Sequence, residues 1–366
     1  MSAENTTSSE SDGIGDDDLS ELPGVGPSTK ESLIDAGYDT FMSIAAADPG
    51  ALSGEVEGLG EDTATKAVRA AQDQTDGIGF ETATAKHEKQ QNRDSLNIVI
   101  PDDWDTRDEP NKVDKLIGSG VEMKYLTEIN GKFGAGKSQI THQLCVNVQL
   151  SKEAGGVRGR AVFIDTEDTF RSDRIREMVR GLPDGVLQQE MDFRGIDGTP
   201  DDDDAMEALE EDFTNKIHVA KAYNSNHQVA LVENAKDIAD EYVGTDFPVR
   251  LLVVDSLMAH FRAEYLGRGK LAQRQQKLSK HLNDIDKFTD LYDAAGVGTN
   301  QMQSNPDQFF GDPNQPIGGN IMSHKMDFRI EIKKSKGETR IFKLFNSPHR
   351  ANGEADFEVM TDGIKI

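Results

Sequence analysis

The spacing of apolar residues changes along the chain, and each change marks an element. Between residues 21 and 75 two similar glycine turns occur, Glu21-Leu-Pro-Gly-Val-Gly-Pro-Ser-Thr29 and Glu55-Val-Glu-Gly-Leu-Gly-Glu-Asp-Thr63. A helix is predicted after each, Thr29 to Ala36 and Thr63 to Gln72. From residue 113 onward, short apolar runs alternate with longer amphipathic ones. Strands are predicted at Tyr125–Asn130, Ala161–Asp165, Lys216–Ala220 and Val249–Asp255, the last the most apolar. Helices are predicted over Gln139–Leu150, from the end of the third strand to about Asp240, and over Leu271–Asp293. That last helix puts Leu278, Leu282, Ile285 and Leu291 on one face. Phe328, Ile330 and Ile332 alternate, as do Phe357 and Val359, and Lys334-Ser-Lys-Gly337 suggests a hairpin turn. Alternating strands and helices imply an α/β fold with a mostly parallel sheet and ligands at the carboxyl ends of its strands.

The polar stretches set the domain limits. Residues 1–20 carry no Lys or Arg and read as a disordered acidic tail. A small helical domain follows at 21–75, then a linker at 76–112, then the α/β core at 113–366. The linker reading rests on Pro101 and Pro110, with five acids between them. Phe80 is conspicuous there, an apolar residue in a polar setting.

Charge changes the picture next. The 366 residues hold 66 acids against 40 bases, a formal net charge of −26. Such a balance ordinarily repels nucleic acid. In molar salt the Debye length falls to about 3 Å, so the acidic surface reports the solvent and DNA contact depends on local basic clusters. This composition fits the cytoplasm of an extreme halophile. The single cysteine, Cys145, excludes an intrachain disulfide and reads as a small core residue. No apolar run is long enough to span a membrane, and no basic–apolar leader opens the chain.

The chemistry centres on residues 131–138, Gly131-Lys132-Phe133-Gly134-Ala135-Gly136-Lys137-Ser138, a complete G-x-x-x-x-G-K-S phosphate loop between a predicted strand and a predicted helix. Its backbone amides cradle phosphates, Lys137 reaches the β and γ phosphates, and Ser138 ligates Mg²⁺. Asp255 ends the most apolar strand, where a carboxylate supports that ion. Glu167 lies just past Asp165 and another strand end, placed to orient an attacking water. Two segments look made for a partner. Phe261-Arg-Ala-Glu-Tyr-Leu-Gly-Arg-Gly-Lys270 is basic and aromatic, and Arg262, Arg268, Lys270 and Arg274 can neutralise phosphates. Asn300 to Asn320 is a long stretch without a period, the mark of a functional or disordered loop. In the small domain, each Gly-apolar-Gly core allows a tight turn of the helix-hairpin-helix kind, whose amides can meet a DNA phosphate.

Taken together, these residues resemble the archaeal RadA-type recombinases of the RecA/RadA strand-exchange superfamily. The likeness covers about residues 20–90 and 113–366. It rests on Leu-Pro-Gly-Val-Gly at 22–26, the phosphate loop, Ile-Asp-Thr-Glu-Asp-Thr-Phe-Arg at 164–171, residues 251–269, Thr-Asn-Gln at 299–301 and Pro-Ile-Gly-Gly-Asn at 316–320. It implies a RecA-like P-loop ATPase core with a small all-α helix-hairpin-helix domain. It implies ATP and Mg²⁺, with K⁺ as a further candidate ion. Glu167 becomes the catalytic glutamate, Arg174 the arginine that stacks on adenine, and Asp255 the Walker B aspartate. Gln301 and His324 become ATP-sensing residues. The first DNA loop takes in Arg262, Tyr265, Arg268 and Arg274, and the second Gly318, Gly319 and Asn320. Phe80 and Ala83 match an F-x-x-A polymerisation motif, an aromatic anchor docking on the neighbouring subunit. The implied function is an ATP-dependent recombinase that forms filaments or rings, binds single- and double-stranded DNA, and exchanges strands in the cytoplasm. A regulatory paralogue that binds ATP and DNA without exchanging strands is the alternative, and a non-hydrolysing DNA scaffold is a third. Three departures bear on that choice. Asn346 and Asn352 stand where many relatives carry cation-binding aspartates. Arg171-Ser-Asp-Arg174 replaces the usual Arg-Pro-Glu-Arg. Gly296 and Gly298 interrupt a buried strand that they are expected to weaken.

Overall fold

The structure, a computed structural model, describes residues 18–75, 82–100, 111–304 and 314–366. The chain divides into two compact units, one ending at Asn92 and one starting at Arg93.

In the first unit, α1 (Pro27–Asp35), α2 (Phe41–Ala45), α3 (Pro49–Glu55) and α4 (Glu61–Gln74) enclose a core of Leu22, Leu33, Ile44, Leu52, Leu59 and Val68. The sequence echo is a structural one. Gly24 and Gly58 both take φ +84°, open to glycine and costly to a side chain, and Gly26 and Gly60 are the residues that cap α1 and α4. A fifth helix, α5 (Ala83–Gln91), starts at a Thr82 hydroxyl that accepts from the Ala85 amide at 3.2 Å, and it buries none of its side chains.

The second unit starts earlier than the sequence suggests. Residues 95–100 fall within the expected linker, yet they pack on the core. Strand β1 (Ser95–Leu96) pairs antiparallel with β2 (Val121–Glu122), and Ile98, Val99 and Ile100 are buried. The Asp114 carboxylate, on α6 (Lys112–Leu116), accepts from the amides of Ile98 at 2.8 Å and Val99 at 3.2 Å. The apolar run Leu96-Asn-Ile-Val-Ile100 gains more from burial than a solvated tether would.

The main sheet has the order β12-β11-β10-β9-β3-β7-β6-β4-β5. Parallel pairing joins β5 (Ile217–Lys221), β4 (Arg160–Asp165), β6 (Val249–Asp255), β7 (Ala295–Ser304), β3 (Leu126–Gly131) and β9 (Phe328–Lys334). Antiparallel strands β10 (Thr339–Asn346), β11 (Gly353–Met360) and β12 (Gly363–Lys365) extend one edge, and the turn at 334–337 makes the expected hairpin. Alternation along each strand feeds two cores. Ile129, Phe163, Leu251 and Val253 pack with α7 (Lys137–Asn147), α8 (Ser172–Arg180), α9 (Asp184–Arg194) and α10 (Asp203–Asn215). Leu126, Ile164, Leu252 and Val254 share the opposite core with α11 (Ser225–Glu241), α12 (Ala259–Glu264), α13 (Leu271–Leu291) and α14 (Gly319–Lys325). Cys145 is buried in the first of these cores, where burial pushes its thiol well above the ordinary range.

The two glycines of β7 are not weak points. A Cβ on Gly298 would lie 2.5 Å from Leu257 Cγ, and one on Gly296 would lie 2.9 Å from Thr289 Cγ2. Side chains of neighbouring elements fill the space that a branched residue would need, so the strand exchanges its own side chains for those of Leu257 and Leu126.

The stretch from 300 to 320 also departs from expectation. Strand β7 runs on to Ser304, β8 (Asn314–Pro316) pairs back on it with Met302 opposite Pro316, and α14 begins at Gly319. The pairing partner lies on the far side of the loop, so no local period announces it.

Candidate active site

Register brings the chemistry to one end of the sheet. Gly131, at the end of β3, lies opposite Gln301 on β7, and Asp165 on β4 lies opposite Asp255 on β6. The phosphate loop therefore stands beside the two acidic strand ends and the expected sensor glutamine.

The loop's glycines are required by its path. Gly134 takes φ +68° and Gly136, which caps α7, takes φ +107°. A Cβ on Gly131 would lie 2.8 Å from the Ile332 carbonyl. Lys132 and Phe133 are exposed, Phe133 almost fully at 94%, while Ala135 is buried beneath them. Lys137 Nζ donates to the carbonyls of Gly131 at 3.2 Å and Lys132 at 3.3 Å, across the mouth of the loop. Burial lowers its pKa from the usual lysine value, while Asp255 and Glu167 oppose that shift and favour the charged form. Ser138 is fixed through its carbonyl, which accepts from Thr141 Oγ1 at 3.0 Å and lies 2.5 Å from His142 Nδ1. His142 Nε2 accepts from the Arg171 amide at 3.1 Å, so the ring is neutral with its proton on Nδ1. Burial depresses its pKa, which keeps that form.

Asp255 is 3% exposed and accepts from the hydroxyls of Thr299 and Thr169, the latter at 3.4 Å. The Asp255–Ser256 peptide is cis. Asp165 organises the next turn, its oxygens taking the amides of Glu167 at 3.0 Å and Phe170 at 2.9 Å. Glu167 is exposed, yet its Oε1 accepts from Ser256 Oγ at 2.9 Å and Gln301 Nε2 at 3.1 Å. Arg174 is tied by Nε to Gln139 Oε1 and by Nη2 to the Met360 carbonyl, both at 2.6 Å, which fixes its guanidinium beside the first turn of α7.

The two expected partner loops leave adjacent strands at the same end. Arg262 is exposed on α12, and Tyr265 is half-buried with Lys277 Nζ 3.3 Å from its hydroxyl. Glu264 anchors the loop through Ser225, whose amide donates at 2.6 Å and whose hydroxyl also donates. Burial opposes ionisation of Glu264, but these bonds prevail and hold its pKa below the ordinary value. Arg274 is half-buried in the first turn of α13. In the second loop, Gly318 takes φ +114° and Gly319 φ +62°, and a Cβ on Gly318 would lie 3.3 Å from Met322 Cβ. His324 is exposed in the last turn of α14. The side chains of Arg268 and Asn320 lie outside the described residues, as do Phe80 and residues 305–313. Ala83 is exposed at the start of α5.

Sequence reasoning named Asp165 at a strand end and quoted Thr169, Ser256 and Thr299 inside its motif stretches without giving them these bonding roles, and it missed His142. Ser256 and Thr299 lie within the quoted stretches 251–269 and 299–301, next to Asp255 and close to Gln301, and that position was their signal. Their roles depend on which strands lie side by side.

Comparison with known proteins adds a second line. A family model described as Rad51 matches residues 107–184 and 204–366, and one described as a SAM-like helix-hairpin-helix tandem matches residues 16–73. The chain is 53% identical over 348 residues to the DNA repair and recombination protein RadA of Halobacterium salinarum, covering 95% of this chain and 98% of that one. The proteins of the same name from Haloquadratum walsbyi and Haloferax volcanii are 50% identical over 350 residues and 51% identical over 352, each covering 96% of this chain and 99% of the relative. Among the described residues, no helix is long and apolar enough to cross a membrane.

Proposed function

The chain belongs to the Rad51 family as a RadA-type recombinase, and from that premise we propose how its residues perform the work. It is a DNA-dependent ATPase of DNA repair and recombination, with a nucleotide-binding core and a helix-hairpin-helix domain. In our reading, subunits assemble on single-stranded DNA in the cytoplasm, with Phe80 and Ala83 of one linker docking on the next subunit. The filament then pairs with duplex DNA and exchanges strands.

At each site the amides of residues 131–138 and Lys137 bind the ATP phosphates. Lys137 trades two carbonyl contacts for phosphate oxygens, an exchange of neutral acceptors for charged ones. Arg174 takes the adenine side. Ser138 and Asp255 offer one hydroxyl and one carboxylate, a donor set that suits Mg²⁺ brought in by a nucleotide, since that ion keeps phosphate and water ligands. When bound, Mg²⁺ neutralises phosphate charge as the transfer proceeds. Glu167 orients the attacking water through Oε2, to which nothing donates among the described residues. Asn346 and Asn352 are both exposed and offer neutral oxygens, so we expect K⁺ to act as screening salt here rather than as a bound activator.

The observation that carries this reading is the convergence of Ser256 Oγ and Gln301 Nε2 on Glu167 Oε1. Gln301 is part of β7, the strand that runs into the second DNA loop. A shift of that loop on DNA therefore reaches the carboxylate through one hydrogen bond. The test is ATP hydrolysis in molar KCl, with and without single-stranded DNA. Stimulation is expected in the wild type, a loss of turnover in Glu167→Gln, and a loss of stimulation in Gln301→Ala. DNA binding without stimulated turnover would favour the regulatory paralogue instead.

A further inference from the structure

Beneath the sensor glutamine lies a buried ion pair that the mechanism above does not use. Glu128, fully buried on β3, accepts from Arg329 Nε of β9 at 2.6 Å through Oε2. Its other oxygen accepts from Asn300 Nδ2 of β7 at 2.7 Å. Asn300 Nδ2 also donates to the Ile317 carbonyl at 2.6 Å, and Asn300 Oδ1 accepts from the Gln301 amide at 2.8 Å. Arg329 Nη1 donates to Ser323 Oγ of α14 at 2.8 Å. Both roots of the second DNA loop are thus tied to one carboxylate: the outgoing root through Asn300, the returning root through Ile317 and Ser323.

We propose that Glu128, Asn300 and Arg329 are positioning residues that set Gln301 against Glu167 and carry the state of the second DNA loop to it. The inference rests on the reading of Gln301 as the sensor and extends it. Asn300 is fixed in one orientation, because flipping its amide would set Oδ1 against two acceptors, Glu128 and the Ile317 carbonyl. It abuts Gln301 in sequence, so a turn of Asn300 moves the Gln301 backbone directly. A second arrangement has a ready partner. Asn130 lies opposite Asn300 in register, is fully buried, and has no hydrogen-bond partner for either side-chain polar atom among the described residues. A buried amide left unpaired is costly, and it gives Asn300 a second hydrogen-bonding partner across the strands. Coupling of this kind requires such a two-arrangement element.

The paired variant Glu128→Met/Arg329→Met separates positioning from stability. Buried ion pairs replaced by apolar residues of similar volume generally retain the fold, while Asn300 here loses its carboxylate acceptor. Melting temperature, ATP affinity by fluorescent-nucleotide titration, and turnover with and without single-stranded DNA are measured in molar KCl. The expected result is a wild-type-like melting temperature and ATP affinity, with the DNA stimulation ratio reduced at least about fivefold. Asn300→Ser, which keeps the ion pair and removes only the amide link, is expected to lose stimulation to the same degree, and it decides the matter if the paired variant melts early. Gln301→Ala is run alongside. If it loses stimulation while Asn300→Ser and the paired variant keep theirs, the relay is wrong and the sensor reading stands. If Gln301→Ala keeps full stimulation, the sensor reading fails and the relay with it.

Discussion

Gly298 on β7 gives the sharpest test of how the sheet is built. A methyl group there would lie 2.5 Å from Leu257 Cγ and 3.1 Å from Leu257 Cδ2, and Leu257 is 1% exposed. Replacing a strand glycine by alanine gains about 0.4–1 kcal/mol from the unfolded chain. Overpacking a well-filled core costs about 1–3 kcal/mol. With Leu257 buried, the second term wins, and Gly298→Ala should destabilise by about 1–2 kcal/mol. Leu257→Ala alone should cost about 2–5 kcal/mol through lost burial and a cavity. In that background the sign reverses: the methyl group added by Gly298→Ala refills part of the cavity, and the change should contribute about 0.5–1 kcal/mol of stability. The assay is urea unfolding of the four proteins in molar KCl, reading midpoints at constant m-value. Turnover should follow the wild-type background, because the Leu257 amide donates to the Thr299 carbonyl at 2.9 Å and the Thr299 hydroxyl donates to Asp255. A Gly298→Ala change that destabilises equally in both backgrounds would refute the packing argument.

The other predictions concern assembly, pH and salt. Phe80→Ala should leave ATP binding intact and abolish polymers by light scattering; undiminished polymers would rule out the linker motif. Burial pushes Asp114 up from 3.8 to about 6, outweighing the hydrogen bonds from Ile98, Asn111 and Val99. Its folded pKa exceeds its unfolded one, so its contribution is fully present below about pH 4 and is lost as pH rises through about 6. Relative to Asp114→Asn, the wild type should lose on the order of 3 kcal/mol between those limits, and parallel pH curves for the two would contradict this. With a net charge of −26, melting temperature should fall as KCl drops from molar to about 0.1 M, where the Debye length grows to about 10 Å. At equal ionic strength NaCl and KCl should support equal turnover, since Asn346 and Asn352 carry no charge to bind K⁺; a strong preference for K⁺ would overturn that reading.

Local chemistry was legible from the chain itself. The phosphate loop announced itself because glycine freedom, the lysine and the serine must be contiguous to work. Strands such as Val249–Asp255 could be read because burial on both faces demands an unbroken apolar run, and the doubled glycine turns because φ +84° at Gly24 and Gly58 leaves few other residues. The sequence also named Glu167 and Asp255 as strand-end acids, and the family resemblance named Gln301, but neither said which of their atoms meet. That Gln301 and Ser256 meet on one oxygen of Glu167 depends on β6 lying between β4 and β7, with Asp165 standing opposite Asp255. The same holds for Gly296 and Gly298, which read as weaknesses until the leucines beside them are in place. It holds also for residues 95–100, whose partners are β2, the apolar core and the Asp114 carboxylate. Hydrogen bonds and packing between distant segments leave no period in the sequence, because each partner is chosen by the register of strands far apart in the chain; that register belongs to the tertiary structure alone.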